Sequence, residues 1–476
     1  MRLKFMGAAA TVTGSNFFLS SEKTGLMVDF GMFQGKPEEV ELNSVKPDMD
    51  FTKLSGVILT HAHLDHCGRL PLLARYGFKG PIFMTEATKA LAELVLYDCA
   101  KIAKEAEGRS ILYTDEDVEV ILKQVSLVEY DKRFDIGGFT VTLVDAGHIL
   151  GSASVVVEER ATGKSVAFSG DLGNTPEPLL SPTHFVNKAK VAVVESTYGD
   201  EIHGPREEIE DLVKIIQKAE REKGTVLIPS FSIERAQELL YIFDQLKKDG
   251  RMAYETPVFL DSPMAIKATT IFKDFPVLYS QKLKDQVKTD DPFDFPGLMI
   301  CDSMEKSKQI KNYEGTKVIV AGSGMMSGGR VVHHALNYLE DPKTQLVFVG
   351  YQAEGTLGRE ILDGKKRVNI WRSQVEVKAE ILEIKTMSAH ADQEQVLNWL
   401  KKIEGLEEVA LIHGEDLARL VLSEKIHQEL PDVKVILDAH QGGGLVYSGS
   451  RLQLDRLYRS NPDTRRNSYT LGAGIN

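Results

Sequence analysis

"GVILTHAHLDHCGRLPLL", Gly56 to Leu73, changes character twice within one short stretch. Its opening apolar run reads as a buried strand, and an apolar helical pattern begins near Leu70. Between them lies a polar turn in which His61, His63, Asp65 and His66 crowd together, three of the chain's 12 histidines among them. Strand, polar turn and helix in that order are the unit of α/β architecture. The same layout recurs in "TVLIPSFSIERAQELLYIF" (225–243), "PVFLDSPMAIKATTIF" (257–272), "KVIVAGSGMMSGGRVVHHAL" (317–336) and "QLVFVGYQAEGTLGREIL" (345–362). It appears again in "ILEIKTMSAHADQEQVLNWL" (381–400) and "EVALIHGEDLARLVL" (408–422). Each time the unusual polar residues stand just past the strand, which is where open α/β sheets place their sites.

A chain of 476 residues exceeds what one hydrophobic core usually organises, so two or three domains are expected. Hydrophobic content of 42% with 26% charged residues is ordinary for a folded soluble protein, and no run is apolar for long enough to span a membrane. The N-terminal "MRLKFMGAAATVTG" has early basic residues but a short, broken apolar part, and reads as a first β-strand rather than a signal peptide. Cys67, Cys99 and Cys301 are odd in number and widely spaced, which excludes a cysteine zinc site or a disulfide framework and fits a reducing cytoplasm. A formal charge of −12 argues against bulk attraction to nucleic acid while leaving room for a local basic groove. "YGDEIHGPREEIED" (198–211) reads as a surface linker. The C-terminal "RLQLDRLYRSNPDTRRNSYTLGAGIN", with five arginines, reads as a partly flexible basic tail.

His61 and His63, two apart after a strand end, can project to one side of an extended turn, while Asp65 and His66 follow where a helix begins. That pattern suits metal ligation, and imidazole with carboxylate at this density favours zinc, with iron or manganese as alternatives. One turn cannot fill two metal sites, so more ligands are expected at other strand ends. Candidates are His148 in "DAGHILGSAS", Asp171 in "FSGDLG" and His413 in "LIHGE". Asp29 in "LMVDFG" is placed to orient a ligating imidazole from behind.

Taken in this order, "THAHLDHCG", "GH" at 147–148 and "SGDLG" at 169–173 resemble the successive metal motifs of the metallo-β-lactamase superfamily. The resemblance implies an αββα sandwich with metals at one edge. His61, His63 and His148 would hold one zinc, Asp65, His66 and His413 a second, and Asp171 would bridge them. Manganese is the alternative ion. The long stretch between Asp171 and "SAHADQ" (388–393) implies an inserted domain. Its "ESTYGD", "IPSFSIERAQELL", "LDSPMA", "GSGMMSGGR", "GYQAEGTLGR" and "SAHADQ" resemble the β-CASP nucleases, in particular the short bacterial and archaeal ribonucleases and the mRNA 3′-end processing endonuclease. The expected organisation is a metallo-β-lactamase part at 1–205, a β-CASP domain at 206–370, and a returning metallo-β-lactamase part with the tail at 371–476.

By the same resemblance His390 would be a general acid oriented by Glu195, with Asp65 also in the catalytic group. An imidazole can give its proton to a departing oxygen while a carboxylate behind it fixes the tautomer. His413 favours RNA, since DNA-processing relatives carry an apolar residue there. Single-stranded RNA is therefore the implied partner, with Arg235, Ser323, Ser327 and Arg330 as its phosphate contacts, and homodimers are common among similar proteins. Glu234 stands where relatives more often have glycine or a small residue. The expected activity is hydrolysis of RNA phosphodiester bonds, as an endonuclease, a 5′-3′ exonuclease or both. The rival readings are a DNA nuclease of the same fold and a non-catalytic RNA-binding scaffold. His333 and His334, inside a helical pattern, read as packed or exposed rather than as ligands.

Overall fold

The run Val191–Glu195 is buried from end to end. Val191 and Val193 enter one core while Ala192 and Val194 enter another, so this strand belongs to a sheet covered on both faces. The computed structural model describes residues 1–9, 11–21, 24–105, 111–204, 208–437 and the strands Gly443–Ser448 and Arg451–Arg456.

Two sheets form the sandwich. The first has eight strands, in the order Arg451–Arg456, Gly443–Ser448, Arg2–Gly7, Asn16–Ser20, Gly25–Val28, Leu54–Ile58, Ile82–Met84 and Val125–Leu127. The second has seven, in the order Lys434–Ile436, Glu408–Ile412, Val191–Glu195, Ser165–Phe168, Ala153–Glu159, Phe139–Asp145 and Phe134–Ile136. Leu3, Phe17, Leu19 and Val28 of the first sheet meet Val141, Val155, Phe168 and Val193 of the second in one apolar layer. Helix Glu86–Glu105 packs outside the first sheet, and helices Gln393–Lys401 and Asp416–Glu429 outside the second, completing an αββα arrangement. The N-terminal stretch is a strand, as expected. The tail is corrected in part: Arg451–Arg456 is a strand paired antiparallel with Gly443–Ser448, and residues past 456 lie outside the described ones. Of the linker read at 198–211, residues 205–207 are likewise outside them, and Glu208–Glu222 is already helix.

A third sheet is all parallel, in the order Leu298–Ile300, Val258–Asp261, Lys317–Ala321, Thr225–Pro229, Gln345–Phe348 and Glu380–Glu383. It extends past the limit of 370 expected from the sequence, because Glu380–Glu383 pairs with Gln345–Phe348. The connection leaving Thr225–Pro229 and the one leaving Lys317–Ala321 run in opposite directions across the sheet, so a crevice opens between their C-terminal ends. Phe231 stands at that crevice, and its ring centroid lies 6.5 Å from that of His63. Where the chain leaves and re-enters the sandwich, Tyr198 forms a β-bridge with Asp392 and Gly173 one with His390. Among the described residues no helix is long and apolar enough to cross a membrane.

Candidate metal centre

The ligand turn is held from below by the segment after Asp29. Backbone N–H groups of Phe30 and Met32 donate to the carbonyls of His66 and Leu64, and that of Ser15 donates to Asp65. The fit is so close that a Cβ on Gly31 would sit 1.5 Å from the Asp65 carbonyl oxygen, so glycine is required there.

All seven residues read as ligands converge. His61, His63, His148 and Asp171 form one group, and Asp65, His66 and His413 another, each with its donor atoms within 4.8 Å of one another. Asp171 joins them. Its Oδ2 lies 3.5 Å from His61 Nε2 and 3.6 Å from His148 Nε2, while its Oδ1 lies 3.2 Å from His66 Nε2 and 3.7 Å from His413 Nε2. His63 Nδ1 is 3.2 Å from the Nε2 atoms of both His61 and His148.

Charge distinguishes the two groups. Burial drives His61 and His148 well below the ordinary histidine range and His63 to about 4, so these imidazoles are neutral and have lone pairs to offer. His66 and His413 are raised against the pull of burial, chiefly by the Asp171 carboxylate, with Asp29 and Asp65 beside them. Those protons offset the buried carboxylates, a role that a bound dication would take over. A set of imidazoles and carboxylates without thiolate suits a divalent metal, and the chain has the metal-binding centre of its fold class.

Four of the five imidazoles, all but His63, are fixed from behind. Asp29 Oδ2 lies 2.8 Å from His66 Nδ1, and both Asp29 oxygens also accept from Thr60, whose hydroxyl is 3.1 Å from His61 Nδ1. His148 Nδ1 lies 3.1 Å from the Ala389 carbonyl, and the Thr197 hydroxyl 3.1 Å from His413 Nδ1. Thr60, Thr197 and the Ala389 carbonyl were not singled out by the sequence. Only their adjacency to ligand motifs pointed at them.

His390 sits beside this centre. Its Nδ1 is 2.9 Å from Glu195 Oε2, and its ring centroid is 4.6 Å from that of His148. Burial would lower this imidazole, but the Glu195 carboxylate outweighs it, followed by Asp171, and lifts it to about 9. Glu195 is fully buried and is held by the Leu172 amide and the Thr197 hydroxyl.

The phosphate contacts fare differently. Arg235, expected to meet RNA, is 2% exposed and ion-paired to Glu238 in the first turn of its helix. Its neighbour Glu234 is also buried, with φ of +70°, a conformation that suits glycine. One guanidinium nitrogen of Arg330 donates to Asp261 Oδ1 and to the Cys301 carbonyl, both at 2.6 Å. Ser323 is half-buried, its hydroxyl 3.4 Å from the Gly328 carbonyl, and Ser327 is exposed. His334, read as packed or exposed, is buried against Asp261 at 2.6 Å.

Comparison with known proteins agrees with this geometry. Residues 10–230 match the description "Metallo-beta-lactamase superfamily", 236–361 "Beta-Casp domain", and 374–437 "Zn-dependent metallo-hydrolase RNA specificity domain". The chain is 38% identical to Ribonuclease TTHA0252 of Thermus thermophilus over 89% of its own length and 95% of that protein. It is 30% identical to the transcription termination factor FttA of Methanocaldococcus jannaschii, covering 90% of this chain and 69% of that one. For the FttA of Pyrococcus horikoshii the values are 32%, 90% and 68%. A crystal structure of a protein of unknown function from Enterococcus faecalis superposes with a TM-score of 0.51 at 13% identity, covering 94% of this chain and 99% of that chain, which speaks to the fold alone.

Proposed function

The chain belongs to the β-CASP branch of the metallo-β-lactamase superfamily, and on that footing we propose that it is a metal-dependent ribonuclease acting on single-stranded RNA. It is a hydrolase, and its RNA-acting character follows from the RNA specificity domain together with relatives named as a ribonuclease and as termination factors. The observation that carries the finer reading is the position of Asp171 between two ligand groups with His390 at their rim.

In this reading His61, His63 and His148 hold one ion, Asp65, His66 and His413 hold another, and Asp171 serves both. The ions are two zincs per chain, with manganese as the alternative. Such a pair offsets charge growing on a phosphoryl oxygen and lowers the pKa of water enough for attack at neutral pH. The chain's own residues do the rest. Glu195 accepts from His390 Nδ1–H and keeps the ring cationic, which leaves Nε2–H for the departing 3′ oxygen. The upstream fragment then ends in a 3′ hydroxyl and the downstream fragment begins with a 5′-phosphate. RNA lies in the crevice at Phe231, between the sandwich and the inserted sheet, and Ser323 and Ser327 remain as phosphate donors on the Gly-rich loop. The sandwich parts and the insertion meet near 198–204 and 384–388, which moves the second limit past Glu383. A cytoplasmic location suits the three free cysteines, and a homodimer is the expected assembly.

Replacing His390 by Ala and measuring both metal content and RNA cleavage tests the reading. Metal should be retained while turnover falls about 10²- to 10⁴-fold. Unchanged turnover overturns the role of His390.

A further inference from the structure

One of the chain's two tryptophans is where a tryptophan is least expected. Trp399 is 1% exposed, but Trp371 is 61% exposed, at the tip of the tight hairpin joining Arg367–Ile370 to Ser373–Glu376. Its φ is +52°, in a region that disfavours bulky side chains. Two-residue hairpin tips usually carry glycine or asparagine at such angles. Folding gives no reason for the choice, since the hairpin is anchored by Val368, Ile370 and Val375, which point the other way into the core. The indole is nonetheless placed. Its ring centroid lies 4.5 Å from that of His333, tilted by 57°, leaving an aromatic step open to solvent.

The hairpin carries three cations, although Glu376 stands opposite Arg367 in it and pairs with Lys378. Lys366, Arg367 and Arg372 are exposed and, among the described residues, no carboxylate lies within ion-pair distance of them. Burial, with His334 and Lys308 nearby, lowers His333, so its ring is neutral at neutral pH and free to stack. An exposed aromatic step with unpaired cations is the chemistry that receives bases and phosphates of a single strand, whatever its sequence. The step is also connected to the crevice. Phe231, beside His63, packs against Gly324 of the loop Gly322–Gly329, and that loop starts the helix Arg330–Tyr338, which presents His333 in its first turn.

We infer that Trp371 and His333 form a base-stacking seat for single-stranded RNA that leaves the metal crevice across the Gly-rich loop. The inference rests on the ribonuclease reading for its ligand. The seat lies on the outer layer of the inserted sheet, away from the sandwich, and sets a minimum length of RNA for full affinity rather than taking part in the chemistry.

The test uses the full chain. With the His390→Ala variant, which binds without cutting, single-stranded oligouridylate and oligoadenylate are titrated while tryptophan fluorescence is followed. Stacking on Trp371 quenches emission, buried Trp399 stays constant, and Trp371→Phe removes the quench. With otherwise wild-type protein, Trp371→Ala raises KM for a long RNA on the order of tenfold with kcat unchanged, and the rise shrinks as the RNA is shortened below the reach of the hairpin. Trp371→Tyr keeps most of the affinity, which a packing role would not explain for so exposed a side chain. Arg372→Gln lowers the salt dependence of binding. Cleavage without any quench, and with KM insensitive to Trp371→Ala at every length, overturns the seat while leaving the nuclease intact. A quench without cleavage by wild-type protein overturns the nuclease and keeps the seat.

Discussion

Oε2 of Glu195 lies 2.9 Å from Nδ1 of His390, although 195 positions separate them along the chain. The carboxylate is buried and the imidazole partly open, so the pair is a fixed base behind a reachable acid. Glu195→Gln keeps the shape and removes the charge that lifts His390 to about 9. The fraction of cationic His390 then declines at lower pH, so the alkaline limb of kcat against pH moves toward acid. Turnover at pH 8 should drop about 10- to 100-fold with metal content unchanged. A pH profile identical to that of the unmodified chain excludes Glu195 as the group that tunes His390.

Asp171 reaches both ligand groups, its Oδ2 facing His61 and His148 and its Oδ1 facing His66 and His413. Asp171→Ala should therefore empty both sites rather than one, as read by elemental analysis after dialysis against a weak chelator. Retention of one full equivalent of metal would show that the groups are independent.

Asp29 touches no ligand group directly except through His66 and, by way of Thr60, His61. Asp29→Ala should weaken metal affinity about 10- to 100-fold in a competitive zinc titration, with the fold retained. An unchanged affinity means that the Thr60 hydroxyl suffices to hold both rings.

Glu234 makes a stability prediction with a definite sign. Burial raises its pKa well above the ordinary carboxylate range, and the Glu177 carboxylate raises it further. The folded chain thus holds this proton more tightly than the unfolded one, and stability declines as pH rises from the unfolded pKa toward the folded one. Glu234→Gly removes that decline and relaxes the positive φ, worth about 1–3 kcal/mol of backbone strain. The variant's advantage in denaturant midpoint should grow from pH 4 to pH 8. An advantage that is flat across this range would mean that Glu234 titrates alike in the folded and unfolded chain.

Arg235 and Ser327 separate packing from recognition. Arg235→Ala leaves Glu238 buried without its guanidinium and should lower stability by about 3–5 kcal/mol. Ser327→Ala, on the exposed part of the Gly-rich loop, should leave stability alone and weaken RNA binding a few-fold. Melting curves and filter binding on both variants decide it, and the reverse pattern would restore Arg235 as an RNA contact.

The ligands were legible because each is a polar residue that a strand end cannot otherwise explain, and because their motifs come in a fixed order. His148, Asp171 and His413 carry weak signals singly and a strong one together. Their supports were less legible. Thr60 and Thr197 are residue types found in any turn, and the Ala389 carbonyl has no side-chain signature at all. The burial of Arg235 was not legible for a different reason: whether a guanidinium at a helix start faces solvent depends on what packs over it, and here that includes Glu238 one turn on. The return of Glu380–Glu383 to the third sheet was not legible, because a hairpin interrupts the strand pattern before it. Trp371 gave no sequence cue, since an aromatic flanked by alternating apolar residues reads as core.

The insertion begins beside Glu195 and ends beside His390, and the bridge from Tyr198 to Asp392 lays its two ends next to each other. The sandwich therefore sees the whole inserted domain as if it were a short surface loop, which explains how a domain of that size sits there without distorting the sheet. His390 and His413 are both made after the insertion, and His390 meets Glu195 only once the intervening domain has folded and drawn its ends together. A chain ending before that return stretch would keep six of the seven proposed ligands, His61, His63, Asp65, His66, His148 and Asp171, and would lack both His413 and His390.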